Sequence, residues 1–425
     1  MPVMPVMPVM PAMPVMPVMP VMPVMPVMPV MPVMPVMPVM PVVSPVSTRS
    51  TRSVAAVPLP RRPRAARLAP RLTALALLLL VAGGCTPVGG QRYSRRQAQK
   101  SLQKLEAPGI VLGEFQLSKI LDGDTIRVDG LDSSLRLLGM DTEETFKSEA
   151  DRRAVETDWT AYVKDKRGKV RPGRMATPTG EVAKAWAKAF FKGVTKVRLE
   201  RDHPAEIRDR FNRYLAYCLA FKNGVWVNYN VEAVRAGMSP YFTKYGYSRR
   251  FHAELLAAGA EAKAAKRGIW QTGIMNYPDY PEREAWWQPR GEFVKAFRDA
   301  GEGQDNFIDI THWNAMQQLE TLVGKEVNVL GTVGDVRIGE RGPARATLSR
   351  RMFNDFPLVF FDRDVLGTSG IDKWKGEYVW VMGVPTIYEN KKTRKKQVQI
   401  VIDRASQIRL STVPGLMPPT AVVTP

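Results

Sequence analysis

The sequence predicts an α+β, mainly β fold: a small closed barrel packed by three helices, then a second barrel-like domain. Short runs with apolar and polar residues in alternation, typical of half-buried strands, recur between residues 114 and 227. Asn223-Gly224 lies between two such runs and is a strong hairpin signal. A stretch rich in Ala and Leu, from Arg249 to Lys266, predicts the longest helix. A second series of strand-like runs begins after residue 325.

The first predicted domain spans residues 109–271. Its strands are expected at Glu114–Ile120, Thr125–Val128, Leu135–Met140, Val194–Glu200, Arg213–Phe221 and Val225–Val227. Between them, an amphipathic pattern predicts a helix over Gly180–Lys192 with Thr179 as its N-cap. Asn228 opens a further helix, which ends at Gly237. The charged segment 146–178 has no clear periodicity, so we expect a long surface loop there.

Residues 272–306 contain several Pro and Gly and are predicted to be a linker. A second domain is expected over 307–411, with a helix at 313–322, and a Pro-rich tail at 412–425 is predicted to be disordered. Strands of the second domain are predicted at Glu326–Val333, Ala344–Leu348, Leu358–Phe361, Tyr378–Val384, Val398–Ile402 and Gln407–Leu410.

The chain begins with a Met-Pro-Val repeat that falls within residues 1–44 and holds 14 of the 22 methionines. A proline at every third position is incompatible with a helix or a sheet ladder. The repeat is therefore either a disordered polyproline-like tail or the product of a mistaken translation start. The second interpretation is favoured because no domain logic connects the repeat to the rest of the chain.

Residues 45–84 are predicted to form a signal-peptide region. Arginines cluster from Arg61 to Arg71, an apolar run covers Leu72 to Val81, and small residues precede Cys85. The apolar run is shorter than the ~20 residues that span a bilayer. This pattern resembles a bacterial lipoprotein signal, although Ala82 stands where Leu is usual. Lipidation of Cys85 is expected; simple secretory cleavage and an uncleaved anchor are the alternatives. Residues 85–108 would then be a tether.

The chain of 425 residues has a formal net charge of +20. Seven arginines and no acidic residue precede Cys85, so the rest of the chain keeps +13. A balance this basic favours a polyanionic partner; a solvated cationic surface or attraction to anionic lipid is the alternative. His203, His252 and His312 have no metal-ligand spacing, which argues against a zinc hydrolase. Cys218 lies in an apolar run and is expected to be a small buried hydrophobic residue.

The stretch Leu121 to Thr145 carries two acidic clusters around an arginine. A tight turn at Asp122-Gly123-Asp124-Thr125 and a neighbouring strand would bring Asp124, Asp141 and Glu144 together near Arg136. Oxygen ligands of this kind suit a hard divalent cation, and a guanidinium is a clamp for phosphate. Each residue taken alone is more often a turn residue or a solvated charge.

Five motifs give these residues a family resemblance: DGDT at 122–125, RLLGMDTEET at 136–145, DRFNRYLAY at 209–217, VNYNVEAVRAG at 227–237 and RGIW at 267–270. Over about 155 residues the domain resembles the staphylococcal nuclease (thermonuclease-like) family. That resemblance implies an OB-type barrel and hydrolysis of DNA and RNA with Ca²⁺, in which P–O5′ cleavage leaves 3′-phosphate ends.

The resemblance also implies residue roles. Asp124, Asp141 and the Thr142 carbonyl would ligate Ca²⁺, Glu144 would orient or deprotonate the attacking water, and Arg136 and Arg213 would grip the phosphate. Four further residues are candidates for substrate contact. Arg210 and Phe211 stand where the family has Lys and Tyr. Tyr241 and Tyr245 would either stack on a base or pack within the protein. Glu143 replaces a common Pro, which would loosen the loop and add negative charge beside Glu144.

The second domain resembles a bacterial OB-fold nucleic-acid-binding module, more loosely, through its strand pattern and glycine placement. Its predicted hairpin Tyr388–Gln397 carries Lys391, Lys392, Arg394, Lys395 and Lys396 where OB-folds bind oligonucleotides. A solvated basic turn is the alternative.

Together these features predict an exported nuclease, secreted or anchored in the cell envelope, that depends on Ca²⁺ and acts on DNA and RNA without an obligate protein partner. Two alternatives stay open: a catalytically inactive nucleic-acid-binding envelope lipoprotein, and a structural envelope protein that uses both barrels for protein contacts.

Overall fold

The computed structural model describes residues 109–167, 173–349 and 355–416. The Met-Pro-Val repeat, the predicted signal region, Cys85 and the tether lie outside the described residues. Among the helices of the described ranges, none is long and apolar enough to cross a bilayer.

The first domain contains a closed barrel, as predicted. Hydrogen bonding joins its strands in the order β3-β2-β1-β4-β5-β6, and a parallel pairing of β3 with β5 closes the ring. The strands are β1 Val111–Ile120, β2 Thr125–Val128, β3 Leu135–Leu137, β4 Lys196–Glu200, β5 Tyr214–Lys222 and β6 Val225–Asn228. The third strand ends three residues earlier than predicted because the chain turns at Gly139, where φ is +70°.

Five helices pack around this barrel: α1 Glu149–Thr157, α2 Trp159–Lys166, α3 Pro178–Phe190, α4 Tyr229–Arg235 and α5 His252–Ala264. The prediction of a loop over 146–178 is wrong, since α1 and α2 lie there. Ser148 and Asp158 cap the two helices through their side chains. Val155 of α1 and Tyr162 of α2 are buried.

Helix α3 begins slightly earlier than predicted. Thr177, rather than Thr179, is its N-cap and accepts a hydrogen bond from the Gly180 N–H at 3.0 Å. The Thr179 hydroxyl instead donates to the Met275 carbonyl at 3.0 Å.

Residues 272–306, predicted as a linker, contain the longest helix of the described residues, α6 Tyr280–Ala300. A proline stands at its start and Pro289 lies inside it. Trp286, Trp287 and Arg290 of this helix are buried. The predicted longest helix, α5, is shorter because it starts only at His252 and ends before Lys266, which has a φ of +48°.

The second domain is built mostly of strands around its own core. Its elements are β7 Phe307–Asp309, α7 Ala315–Thr321, β8 Val327–Arg337, β9 Ala344–Ser349, β10 Phe356–Phe360, α8 Arg363–Ser369, β11 Tyr378–Gly383, β12 Pro385–Glu389, β13 Lys396–Val401 and β14 Ile408–Leu410. Strand β8 pairs with β9, β9 with β10, β10 with β13 in parallel, and β13 with β12. Only Val384 separates β12 from β11, which returns to β8. The second domain is therefore a second, mostly stranded sheet that curves back on itself.

The tail is partly ordered, contrary to the prediction of disorder from residue 412. Val413 is 4% exposed and packs in the core of the second barrel. Next to it, the Trp374 indole donates to the Ser411 carbonyl at 2.8 Å. Residues 417–425 lie outside the described ranges.

Helix α6 contacts both barrels. The Trp287 ring meets Phe242 of the first domain edge-on, with centroids 4.9 Å apart. The Arg290 guanidinium forms a fully buried ion pair with Glu377 of the second domain, and its Nε donates to the Lys244 carbonyl at 3.0 Å. This helix therefore connects the barrels as a packed element. The domain boundaries themselves remain predictions.

Candidate active site

The turn before β2 places Asp124 inside the domain. The Asp124 N–H donates to Asp122 Oδ1 at 3.2 Å, and the Leu121 N–H donates to the Thr125 carbonyl at 3.0 Å. A Cβ on Gly123 would lie 2.6 Å from the Thr142 side chain, so only glycine allows this close approach. The turn is thereby fixed against the loop that carries Asp141 and Thr142.

Arg136 of β3 joins the two acidic clusters. Its guanidinium forms ion pairs with both Asp124 and Asp141, and Nη2 donates to the Met140 carbonyl at 3.2 Å. Burial alone would raise the pKa of Asp124, but the charge and hydrogen bond of Arg136 outweigh it and lower that pKa. Burial, followed by the charge of Asp124, raises the pKa of Asp122 to about 6. Asp124 is thus held ionised.

Glu144 and Arg213 come from separate parts of the chain to the same place. The Glu144 carboxylate is 30% exposed and meets Lys147 at 3.0 Å and Arg174 at 3.5 Å. Arg213 directly precedes β5, and Asp209 holds its guanidinium through Nε at 2.8 Å and Nη2 at 2.7 Å. Both side chains face a cleft of about 460 Å³.

The cleft is lined mainly by polar and charged side chains. Its lining residues are Leu121, Asp122, Asp124, Thr125, Arg136, Glu144, Thr145, Phe146, Lys147, Arg174, Lys184 and Arg213. The predicted site residues Asp124, Arg136, Glu144 and Arg213 are therefore brought together. Asp141 lies behind the lining, where its carboxylate accepts from Arg136 and, at 2.7 Å, from Arg174. The Thr142 N–H donates to Asp124 Oδ2 at 3.1 Å.

Other predicted substrate contacts do not line the cleft. Arg210 and Phe211 are exposed on the turn before Arg213, with the Arg210 guanidinium 5.6 Å from the Phe211 ring centre. Tyr241 packs against the barrel, and its hydroxyl bonds to His252 Nδ1 and accepts from the Ser248 N–H, both at 2.9 Å. Its expected stacking role is therefore not supported, because it is held in the fold.

Tyr245 is 58% exposed and lies edge-on to Phe242, with centroids 5.6 Å apart. Of the predicted basic residues of the second domain, Lys391, Lys392, Arg394 and Lys395 are exposed in the connection between β12 and β13, and Lys396 is the exposed first residue of β13. We call residues 391–396 the basic loop. Of its members, Arg394 pairs with Glu389 at 2.7 Å.

Three basic residues of the cleft were not predicted: Lys147, Arg174 and Lys184. The sequence could have indicated Lys184 as a cleft residue, because Lys184 lies one helical turn beyond Gly180 on the predicted helix. A Cβ at Gly180 would lie 2.2 Å from the Glu144 carbonyl oxygen. The first turn of α3 therefore packs against the backbone of residues 141–145, which we call the acidic loop. For Arg174, the only sequence signal was the basic character of its segment.

The sequence suggested that Glu143 adds negative charge to the cleft, but its side chain does not line the cleft. It is 1% exposed and points into the protein, where it accepts hydrogen bonds from the Thr177 hydroxyl, the Tyr277 N–H at 2.8 Å and the Tyr280 hydroxyl at 2.8 Å. Burial raises its pKa despite these bonds. Glu143, which replaces the family's proline, therefore holds the loop in place through hydrogen bonds and does not make it more flexible.

The acidic pair fits a hard cation by its donor chemistry. Asp124 and Asp141 offer only oxygen donors, and both carboxylates converge on one positive group, the Arg136 guanidinium. A different set, Glu206, Asp309 and His312, forms the one trio of ligand groups within 4.8 Å of one another in the described ranges. It lies outside the cleft lining, and Arg298 already pairs with Glu206 at 3.0 Å.

A closed barrel whose cleft joins carboxylates to several guanidinium groups has the side chains needed to bind a phosphate group. Residues 134–272, about a third of the chain, match a family model described as staphylococcal nuclease homologue. The domain is therefore staphylococcal-nuclease-like.

Curated relatives agree with this assignment. A thermonuclease of Staphylococcus hyicus is 28% identical over 164 residues, which cover 37% of this chain and 75% of that protein. A thermonuclease of Staphylococcus intermedius is 28% identical over 167 residues, covering 38% and 79%. An uncharacterised protein of Methanocaldococcus jannaschii is 29% identical over 160 residues, covering 36% and 69%. These similarities support a nuclease activity for this domain.

Proposed function

We propose that the first domain is a Ca²⁺-dependent endonuclease that hydrolyses phosphodiester bonds of DNA and RNA. One observation carries the proposal: Asp124, Arg136 and Glu144 from one stretch of the chain line a single cleft together with Arg213 from a distant part of the sequence. Carboxylates, a water-orienting acid and paired guanidinium groups are the components that phosphodiester hydrolysis requires.

Asp124, Asp141 and the Thr142 carbonyl would hold the calcium ion, which neutralises phosphate charge when bound. Glu144 orients or deprotonates the attacking water from the mouth of the cleft. Arg136 and Arg213 donate to the phosphate oxygens and keep their charge throughout the reaction. Asp209 fixes the direction of the Arg213 guanidinium. Cleavage of the P–O5′ bond would leave a 3′-phosphate.

The charge of the cleft also favours a polyanionic substrate. Five cationic side chains line it, against three carboxylates. The cations are Arg136, Lys147, Arg174, Lys184 and Arg213. A bound divalent cation would increase this positive balance further and draw in a phosphate backbone.

The second barrel is proposed to bind nucleic acid. Its basic loop joins the two strands at the position where OB-folds contact oligonucleotides. The Tyr388 ring next to the basic loop is 38% exposed, and the Arg345 guanidinium of β9 lies 5.9 Å from the ring centre. An aromatic ring and cations on one surface suit a single strand, through stacking and phosphate contacts.

Export and anchoring are proposed from residues 45–85 alone, with lipidation at Cys85 and residence in the cell envelope. Labelling with a palmitate analogue in cells tests this: a label that persists in the Cys85→Ser variant would exclude lipidation at that residue.

The activity itself is tested with residues 86–425 incubated with plasmid DNA and with RNA, in Ca²⁺ or in chelator. Cleavage of both substrates is expected in Ca²⁺ only. Products should resist extension by a polymerase until a phosphatase removes their 3′-phosphates. Absence of cleavage in Ca²⁺ would refute the proposal, and extendable ends would refute the assigned bond.

A further inference from the structure

Arg174 brings a third guanidinium to the cleft. Its Nη2 donates to Asp141 Oδ1 at 2.7 Å, and its Nη1 lies 3.5 Å from Glu144 Oε1. Arg136 contacts the same Asp141 oxygen, yet its side chain is only 9% exposed, whereas that of Arg174 is 47% exposed. Arg174 therefore stands at the mouth of the cleft, where a substrate can reach it.

The backbone around Arg174 is fixed. On one side, the Thr177 N–H donates to the Glu144 carbonyl at 3.0 Å, and Ala176 forms a parallel bridge with Glu144. On the other side, Tyr277 exchanges two hydrogen bonds with Met175, its hydroxyl donating to the carbonyl at 2.9 Å and accepting from the N–H at 3.3 Å. Arg174 is thus positioned by the fold, as a residue that binds a reacting group must be.

The same packing explains Glu143. Its carboxylate joins Thr177, which lies just after Arg174 in the chain, to Tyr277 and Tyr280, which precede or begin α6. Arg283 of α6 also donates to the Gly173 carbonyl. The buried Glu143 carboxylate therefore connects the acidic loop to two other segments behind the cleft: the segment that carries Arg174 and the start of α6.

We propose that Arg174 is a third phosphate-binding catalytic residue, supplied by the segment between the acidic loop and α3. The proposal rests on the phosphodiesterase function above. Arg174 would exchange its long contact with Glu144 for a non-bridging oxygen of the scissile phosphate, and stabilise charge that develops there. It transfers no proton. The water oxygen bonds to phosphorus and gives up its proton to Glu144 or to solvent, while the P–O5′ bond breaks and O5′ leaves with that electron pair and takes up a proton from solvent.

The variants that test this are Arg174→Ala, Arg174→Gln and Arg174→Lys in residues 86–425. Arg153→Ala is the matched control, because Arg153 lies on α1 in the same segment, is exposed and does not line the cleft. Single-turnover cleavage of a single-stranded DNA oligonucleotide gives the rate at saturating DNA and Ca²⁺. Binding of that oligonucleotide in chelator, measured against salt concentration, gives a readout independent of catalysis.

We expect Arg174→Ala and Arg174→Gln to lower the saturating rate by about 100-fold or more, the size of one lost transition-state donor. Arg174→Lys should recover part of the rate, and Arg153→Ala should keep all of it. The salt dependence of binding should weaken by about 0.7 in the log–log slope, one phosphate contact on a single strand. Should Arg174→Ala fail to fold, Arg174→Gln decides by the same criteria.

A rate within about threefold of wild type for both variants, or an unchanged salt slope, would overturn the proposal. Faster cleavage at low Ca²⁺ would overturn it too, because Arg174 would then be a barrier to the metal. If the wild-type protein itself does not cleave DNA in Ca²⁺, the proposed function fails as a whole. An active wild type with unaffected Arg174 variants confines the failure to this residue.

Discussion

The buried Glu143 carboxylate accepts a hydrogen bond of 2.8 Å from the hydroxyl of Tyr280, 137 positions further along the chain. Glu143 lies between the proposed calcium ligand Thr142 and the proposed water-orienting residue Glu144. Tyr280 is the first residue of α6, the helix that contacts both barrels. This hydrogen bond thus links the loop that carries Thr142 and Glu144 to α6, the helix that contacts both domains.

Glu143→Ala should lower the free energy of unfolding by about 1–3 kcal/mol, because three buried donors lose their acceptor. Cleavage should slow as well, since the Arg174 segment is released. Tyr280→Phe, which removes one hydroxyl and keeps the ring, should cost about 1 kcal/mol. Chemical denaturation measures both. Glu149→Ala is the control, because that side chain is 68% exposed on α1; an equal loss there would show that Glu143 has no special anchoring role.

Glu377→Ala removes the carboxylate that neutralises Arg290 between α6 and the second barrel. A buried guanidinium that loses its counter-charge should cost about 3–5 kcal/mol of unfolding free energy. Removing Asp335, whose side chain is 52% exposed and pairs with Lys375 on the same barrel, should leave the unfolding free energy nearly unchanged. Tryptophan fluorescence during denaturation reports both variants. Similar midpoints for the two would contradict the connecting role of α6.

The basic loop should contribute to nucleic-acid affinity through phosphate charge. Replacing Lys391, Lys392 and Lys395 with Gln should weaken single-stranded DNA binding and flatten its salt dependence by about 1–2 in the log–log slope. The matched control changes three exposed lysines of the first domain by the same charge: Lys119, Lys188 and Lys192. Fluorescence anisotropy over a salt series measures the slopes. Equal slopes for the two variants would refute a specific role for the basic loop.

His203 predicts a pH dependence of stability. Burial first, and then the charges of His312, Arg249 and Arg298, lower its pKa to about 4, while Glu206 acts in the opposite direction. The unfolded chain, with a pKa near 6.5, therefore takes up the proton more readily than the folded one. The stabilisation from this residue is complete above pH 6.5 and is lost as the pH falls towards 4.

His203→Asn should remove that component, since an Asn side chain can still accept the hydrogen bond that the Ala205 N–H donates to His203 at 3.2 Å. Unfolding free energies of wild type and variant should converge as the pH falls from 6.5 to 4. Glu206, whose pKa is lowered, acts in both proteins and cancels in the difference. A difference that stays constant over this range would contradict the assignment.

The barrel strands were predictable because each depends on a local pattern. The strand Thr125–Val128 has the bounds expected from its alternation, and the turn before it depends on Gly123. Helices α1 and α2 were missed because their buried residues, Val155 and Tyr162, pack with Tyr277 and Tyr280 from far along the chain. Periodicity within the segment could not reveal those partners.

Helix α6 was missed for a related reason: glycine and proline within it had indicated a linker. Gly291 is required there because a Cβ would lie 2.7 Å from the Tyr247 ring. In the cleft, the motifs located Asp124, Arg136, Glu144 and Arg213 together, as the shared lining shows. Arg174 depends on a long-range approach to Asp141 that no local pattern encodes.

The central claim is that the cleft of Arg136, Glu144 and Arg213 hydrolyses phosphodiester bonds. The most direct test is the single-turnover rate of DNA cleavage in saturating Ca²⁺ for wild type, Glu144→Gln, Arg213→Ala and the exposed control Arg153→Ala. We predict losses of about 100-fold or more for Glu144→Gln and Arg213→Ala, with folding unchanged, and nearly full activity for Arg153→Ala. Wild-type rates in both cleft variants would contradict the account.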